Sequence, residues 1–346
     1  MLAQLARKFS GPVFCLTLAA ALSACSSKGD SPDAGGSAQA SAGEASGGAA
    51  GFSSAGAPRD GSNALVGTFQ VQVLVDETDA STGMTKVVGQ VGDAAVPANV
   101  IWTVTKRDGD CRLETPSVPF CEPACGADVC VADGVCQAYP TPHSVGAVTL
   151  SGANVTGGGS VVELKEFAKA YQLPAGTTLT YPPFAAQDDV TLHATGGDFA
   201  AFDLAAKGVD PLLITSTDFA LDRAKPLVIT WTGAADPKAS QIYLKLDISH
   251  HGGIKGMIEC DTDDSGSLSI SAEMVSELIG LGVAGFPSVV MLRESLGSAQ
   301  IAPGVVRLEV SSRAERSVTV KGVDSCTMDG DCPSGETCQT DSTCTK

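Results

Sequence analysis

Oxygen donors come first among the residues that could do chemistry. The run Asp261, Thr262, Asp263, Asp264, Ser265, Gly266, Ser267, Leu268 matches the first eight positions of a calcium loop. Asp261, Asp263 and Ser265 would be the ligands at positions one, three and five, with glycine at six and an apolar residue at eight, the spacing at which calcium collects hard oxygens. Position twelve is Ala272 where a bidentate Glu belongs, Glu273 falls one place late, and the preceding segment reads as a strand rather than a helix. The run therefore reads as an acidic turn leading into a short helix, with a weak, water-open calcium site as the alternative. No other cofactor is expected.

Gly280, Gly282 and Gly285 spell GxGxxG, whose glycines let backbone amides approach a pyrophosphate. That fingerprint must follow a strand and open a helix, whereas here it follows a helix and leads into a strand, so a glycine-rich turn is expected. His250 and His251 are adjacent in or beside a strand, where successive side chains point to opposite faces, and are expected to act as two separate histidines rather than to share a metal. No GxSxG, HExxH or phosphate-loop motif occurs, and four His in all leave few general bases. The chain is expected not to be an enzyme. A carboxylate-dependent hydrolase is the catalytic alternative, because paired Asp or Glu residues leave no sequence signature. A glycan site would want exposed aromatic platforms, but Trp102 and Trp231 both sit in β runs and are expected in the core.

Twelve cysteines carry the strongest signal. Cys15 falls in an apolar N-terminal run and Cys25 just after it. Ten remain: Cys111, Cys121, Cys125, Cys130, Cys136, Cys260, Cys326, Cys332, Cys338 and Cys344. An even number in an exported chain points to disulfides rather than zinc, whose sites use short ligand pairs. The last four can close among themselves, most simply as Cys326 to Cys338 and Cys332 to Cys344. The first cluster has five members, so by parity Cys260 should pair into it. Cys111 is the expected partner, because such a bond would tie the N-terminal strands to the later ones.

Export itself is read from residues 1–24. Arg7 and Lys8 precede an apolar run from Val13 to Leu22, then the small residues Ser23 and Ala24 and then Cys25. This is the layout of a signal peptide, and its apolar run is half of the roughly 20 residues a membrane-spanning helix needs. Leu22, Ser23, Ala24 and Cys25 resemble the lipobox of bacterial lipoproteins. That resemblance implies that Cys25 carries lipid and becomes the first residue, and that the chain sits in the cell envelope, in the outer membrane more than the inner because Ser26 follows the Cys. Two or more acyl chains make such attachment effectively permanent.

The elements that position all these residues follow from composition. Residues 26–63 are almost entirely Ser, Gly, Ala, Asp and Pro and read as a disordered tether with a reach of roughly 35 Å. From 64 onward short β-rich runs alternate with turn clusters, for example GTFQVQVLV, NVIWTVT, QIYLKLDIS and GVVRLEVS. The expected fold is all-β, an antiparallel β-sandwich of jelly-roll or immunoglobulin-like type over 64–322. Met274, Val275, Leu278 and Ile279 recur at helical spacing and predict one short helix from about Ser271 to Ile279, capping the sandwich. A Cys-rich insertion over 108–140 and a C-terminal segment over 323–346 lack apolar periodicity and predict two disulfide knobs. Lipobox, tether and knobs together resemble a class of Cys-rich surface lipoproteins of myxobacterial type, from which nothing catalytic carries over.

Net charge is -17, and removal of Arg7 and Lys8 with the signal leaves the chain more acidic still. Such a chain repels nucleic acid, so none is expected as a partner. Expected instead are the membrane, through Cys25, and a protein or glycan partner met by a displayed sandwich.

Overall fold

The computed structural model describes residues 64–76 and 81–346. The lipobox, Cys15, Cys25 and the tether lie outside these residues.

Two long strands organise the fold. Ser288–Gln300 and Val305–Ser317, 13 residues each, form an antiparallel hairpin in the middle of a 14-stranded sheet. On one side of the hairpin, Leu65–Val75 pairs parallel with Val305–Ser317. Then come Gly83–Gly92, Ala170–Gln172, Val161–Phe167, Val148–Ser151, Asp189–Ala194 and Phe202–Lys207, all antiparallel. On the other side lie Gln241–Asp247, Met257–Asp263, Cys111–Ser117 and, at the edge, Ile101–Asp108. Among the described residues the protein is all-β with one α-helix, as the alternation in the sequence predicts.

Residues two apart in a strand share a face. Along Val305–Ser317 the same face carries Val306, Leu308 and Val310, then Ser312, then Ala314. The apolar residues on either side of Ser312 belong to two different cores. In the first, Val306, Leu308 and Val310 join Phe69, Val71, Leu150, Leu164, Leu192 and Leu204, because the sheet folds over and lays Phe202–Lys207 back on Ser288–Gln300. Gly297 permits that approach: a Cβ there would stand 1.9 Å from the Ala205 carbonyl oxygen. The Lys207 amide then donates to Ser295 Oγ at 2.9 Å.

The second core holds Ala314 with Ile242, Leu244, Leu246, Ile258, Val289 and Met291. It is covered by the helix Ala272–Gly280, whose Met274, Val275, Leu278 and Ile279 are buried, and by the small pairing of Leu227–Thr230 with Ser267–Ile270. Ser271 caps the helix by accepting from the Met274 amide at 3.3 Å.

A polar septum separates the cores. Arg293 Nε and Nη2 donate to Asp264 at 2.6 and 3.0 Å, and Trp231 Nε1 and Ser240 Oγ donate to the same carboxylate at 2.7 Å each. Arg293 also donates to the carbonyls of Asp210, Pro211 and Thr232, while Ser312 Oγ accepts from the Leu212 amide at 2.8 Å. These bonds hold the segment 209–212, which crosses from Val209 in the first core to Leu212 in the second. Burial works against an ionised Asp264, but the bonds from Arg293, Ser240 and Trp231 prevail and hold its carboxyl below the usual range.

Five disulfides staple the described residues. Cys111–Cys260 joins facing residues of neighbouring strands across 149 positions. Cys121–Cys130 and Cys125–Cys136 close the first knob, and Cys326–Cys338 and Cys332–Cys344 the second.

Candidate functional site

The sheet ends in an exposed strand. Ile101–Asp108 pairs with Cys111–Ser117 on one side, and among the described residues no strand pairs with its other side. Its first half carries apolar side chains into solvent: Ile101, Trp102 and Val104, with Trp102 36% exposed. Trp102 is therefore not a core residue as expected; only Trp231 is, at 4%. The difference lies in topology, because a strand at the end of a sheet has no neighbour to cover its outer flank. The register Ile101↔Ser117 brings the chain leaving the sheet to the start of this half, and two further exposed apolar residues, Val118 and Phe120, follow in sequence toward the first knob, Phe120 being 70% exposed. In the second half, a bulge between Val104 and Lys106 breaks the regular edge, and Lys106 is tied to Glu273 and Glu277 of the helix.

A cleft of about 960 Å³ opens between the second core and the C-terminal knob. Ala220–Leu221 and the parallel Thr319–Val320 form its floor, Phe286 and Pro287 one wall, and Asp324, Asp331 and Pro333 the other. Asp222 is held below the usual carboxylate range by the Ala224 amide and by Lys321. Asp331 is held down by the Thr327 amide and hydroxyl and the Met328 amide. Both carboxylates are thus ionised caps of their own turns.

Sequence reasoning overlooked one polar constellation in the first lobe, because its members come from four separate segments. Asp198 lies 3.1 Å from His143 Nδ1, Asp93 lies 3.7 Å from Nε2, and the ring rests on Phe199. Next to it Ser144 Oγ donates to Glu166 at 2.5 Å, and the Tyr171 hydroxyl lies 3.1 Å from the same carboxylate. A Ser–His nucleophilic pair needs the hydroxyl bonded to the imidazole, whereas Ser144 is bonded to Glu166. The Ser144 bond holds Glu166 below its usual range, and the Ser144 amide does the same for Asp198. Tyr171 meanwhile accepts from the Val145 amide and donates to the Gly146 carbonyl. The cluster works as a clamp on residues 143–146.

The calcium-loop residues are engaged separately. Asp261 belongs to the strand Met257–Asp263 and pairs with Arg112, which also holds Glu114 and Glu259. Burial disfavours the charge on Arg112, but the bond to Asp261 and the charges of Glu259 and Asp261 outweigh it and raise its pKa. Asp263 is exposed, Ser265 Oγ donates to the Ser267 carbonyl, and Asp264 turns inward to Arg293. GxGxxG forms the expected turn: Gly280 ends the helix, and Gly282 and Gly285 have φ of +99° and +59°.

The two adjacent histidines behave differently from expectation. They lie beside the strand Gln241–Asp247, in the turn that follows it, but their rings come together with centroids 4.0 Å apart. The turn removes the alternation on which the expected separation depended.

The sulfur clusters Cys121, Cys125, Cys130 and Cys326, Cys332, Cys344 have metal-like spacing, but each of these sulfurs is in a disulfide and offers no thiolate. No protein-family model and no curated protein sequence matches this chain, so family membership assigns it no activity.

Proposed function

We propose that this protein is an exported, lipid-tethered binding protein that displays its sheet edge to a partner protein. The observation that carries the reading is the apolar edge strand from Ile101 to Val104, with the exposed Val118 and Phe120 following its partner strand in sequence. A regular strand with an unpaired flank offers backbone amides and carbonyls in the register that an incoming strand needs, and alternate side chains supply specificity. Long apolar edges invite aggregation and are normally blunted. Here the bulge and Lys106 blunt only the second half. The occupant that fits is an extended segment of another protein, added as a further strand with its apolar side chains against Trp102.

Export is supported by the five disulfides, which persist in oxidising compartments. The lipid anchor at Cys25 is part of the same proposal, and the Ser/Gly/Ala tether would carry the domain tens of ångströms from the bilayer, within reach of proteins rather than lipid. The acid-lined cleft beside Phe286 favours a second reading, the binding of a small cationic or glycan ligand.

Photo-crosslinking on intact cells separates the outcomes. A photoreactive residue in place of Trp102 should give discrete protein adducts, and the same residue in place of the exposed Phe167, on the other lobe, should not. Adducts of equal intensity at both positions, or none at Trp102, would refute edge display.

A further inference from the structure

The turn after Gln241–Asp247 brings two imidazoles into contact at some cost. It is closed by the Gly252 amide donating to the Ser249 carbonyl at 2.8 Å. His251 has φ of +62°, a left-handed conformation that strains any non-glycine residue. That conformation turns its ring onto His250, with an interplanar angle of 55°. Such strain persists only where the surroundings over-determine it.

The surroundings here do so. The Phe286 amide donates to the His250 carbonyl at 2.7 Å, and Asp247 Oδ1 accepts from the Ser249 amide at 2.8 Å. Gly252 and Gly285 interlock: a Cβ on Gly285 would stand 2.0 Å from the His250 carbonyl oxygen, and one on Gly252 2.0 Å from the Gly285 nitrogen. The Gly285 amide in turn donates to the Asp341 carbonyl of the C-terminal knob at 2.6 Å. The backbone that presents the two rings is thus held by the sheet, the glycine-rich turn and the knob together.

We propose that His250 and His251 form a two-imidazole site for one divalent transition-metal ion of the copper or zinc class, with water completing the coordination. Imidazole nitrogen suits these ions, and the rings are already gathered. His251 is exposed and His250 half-buried, so an ion can enter from solvent. The acidic chain raises the local concentration of cations. The site stands apart from the sheet edge and does not rest on the edge-display reading.

The test is a titration of the full chain, disulfides intact, with Cu(II) in a non-coordinating buffer, read by calorimetry and by electron paramagnetic resonance. One Cu(II) per chain is expected, with hyperfine structure from two imidazole nitrogens. His250→Gln and His251→Asn should each weaken binding about tenfold or more and remove one nitrogen from the spectrum. Asn tolerates the left-handed conformation, so the second variant keeps the turn folded. His143→Gln and His193→Gln should change neither readout. The proposal is overturned if the parent chain takes up no stoichiometric Cu(II), or if the double variant of His250 and His251 binds it unchanged.

Discussion

Asp264 shows how much a single position can hold. It is fully buried, and three side chains donate to it. Removing one partner of a buried ion pair strands the other, at a cost of about 3–5 kcal/mol. Asp264→Ala should therefore lower the free energy of unfolding by about that amount, measured by urea denaturation. The folded pKa of Asp264 lies below its unfolded value, so its contribution is complete above the ordinary carboxylate pKa of about 4 and is lost as pH falls through the folded value. Asp264→Asn should be less stable than the parent at neutral pH, with the gap closing in acid. An unchanged gap at all pH values would show that the carboxylate charge is not what counts. Trp102 presents the opposite case. Its indole lies on an exposed edge, so Trp102→Ala should cost under about 1 kcal/mol in stability while abolishing the adducts formed by a photoreactive residue placed at the neighbouring Val104.

Among the elements, the fold-over of the first lobe depends on a single missing methyl. Gly297 lies so close to Ala205 that any side chain would push Phe202–Lys207 off the central hairpin. Gly297→Val should destabilise the protein by several kcal/mol, whereas Gly157→Ala, in a turn where a Cβ meets nothing, should cost only the strain of its positive φ. The Cys111–Cys260 bond acts on a larger loop than the knob bonds do. Closing 149 positions restricts the unfolded chain by about 4–5 kcal/mol on the entropic account, against about 3 kcal/mol for loops of 9–12 positions. Replacing both Cys111 and Cys260 with Ser should lower global stability. Replacing Cys121 and Cys130 should leave the main transition nearly in place, because the first knob does not contribute to either main core beyond its attachment.

At the scale of the whole molecule, one hairpin runs through both cores. Val289 and Met291 pack in one, while Val306, Leu308 and Val310 pack in the other, and the septum of Arg293, Asp264 and Ser312 locks the crossing segment to both. Neither core can open without releasing strands that the other needs. A single calorimetric transition is expected for residues 64–346. Two resolved transitions would mean that the septum divides the cores rather than coupling them.

The alternation of apolar and polar residues made the β class legible from the chain alone, and helical spacing did the same for one short helix near residues 271–279, because local periodicity reports which face is buried. Parity of the cysteines placed Cys260 with the first cluster, and the tie that such a bond makes between early and late strands then singled out Cys111 as its partner. Three things needed the tertiary structure. Burial of a strand residue depends on whether a neighbour covers it, so Trp102 and Trp231 look alike in sequence and differ in the fold. The conformation of a turn depends on what locks it, so two adjacent histidines could be brought ring to ring only by contacts from Gly285, Phe286 and the knob. The partition of one sheet face into two cores was invisible because the residues that divide it, Arg293, Asp264 and Ser312, are polar residues in strands and turns, and only long-range pairing shows that they are buried.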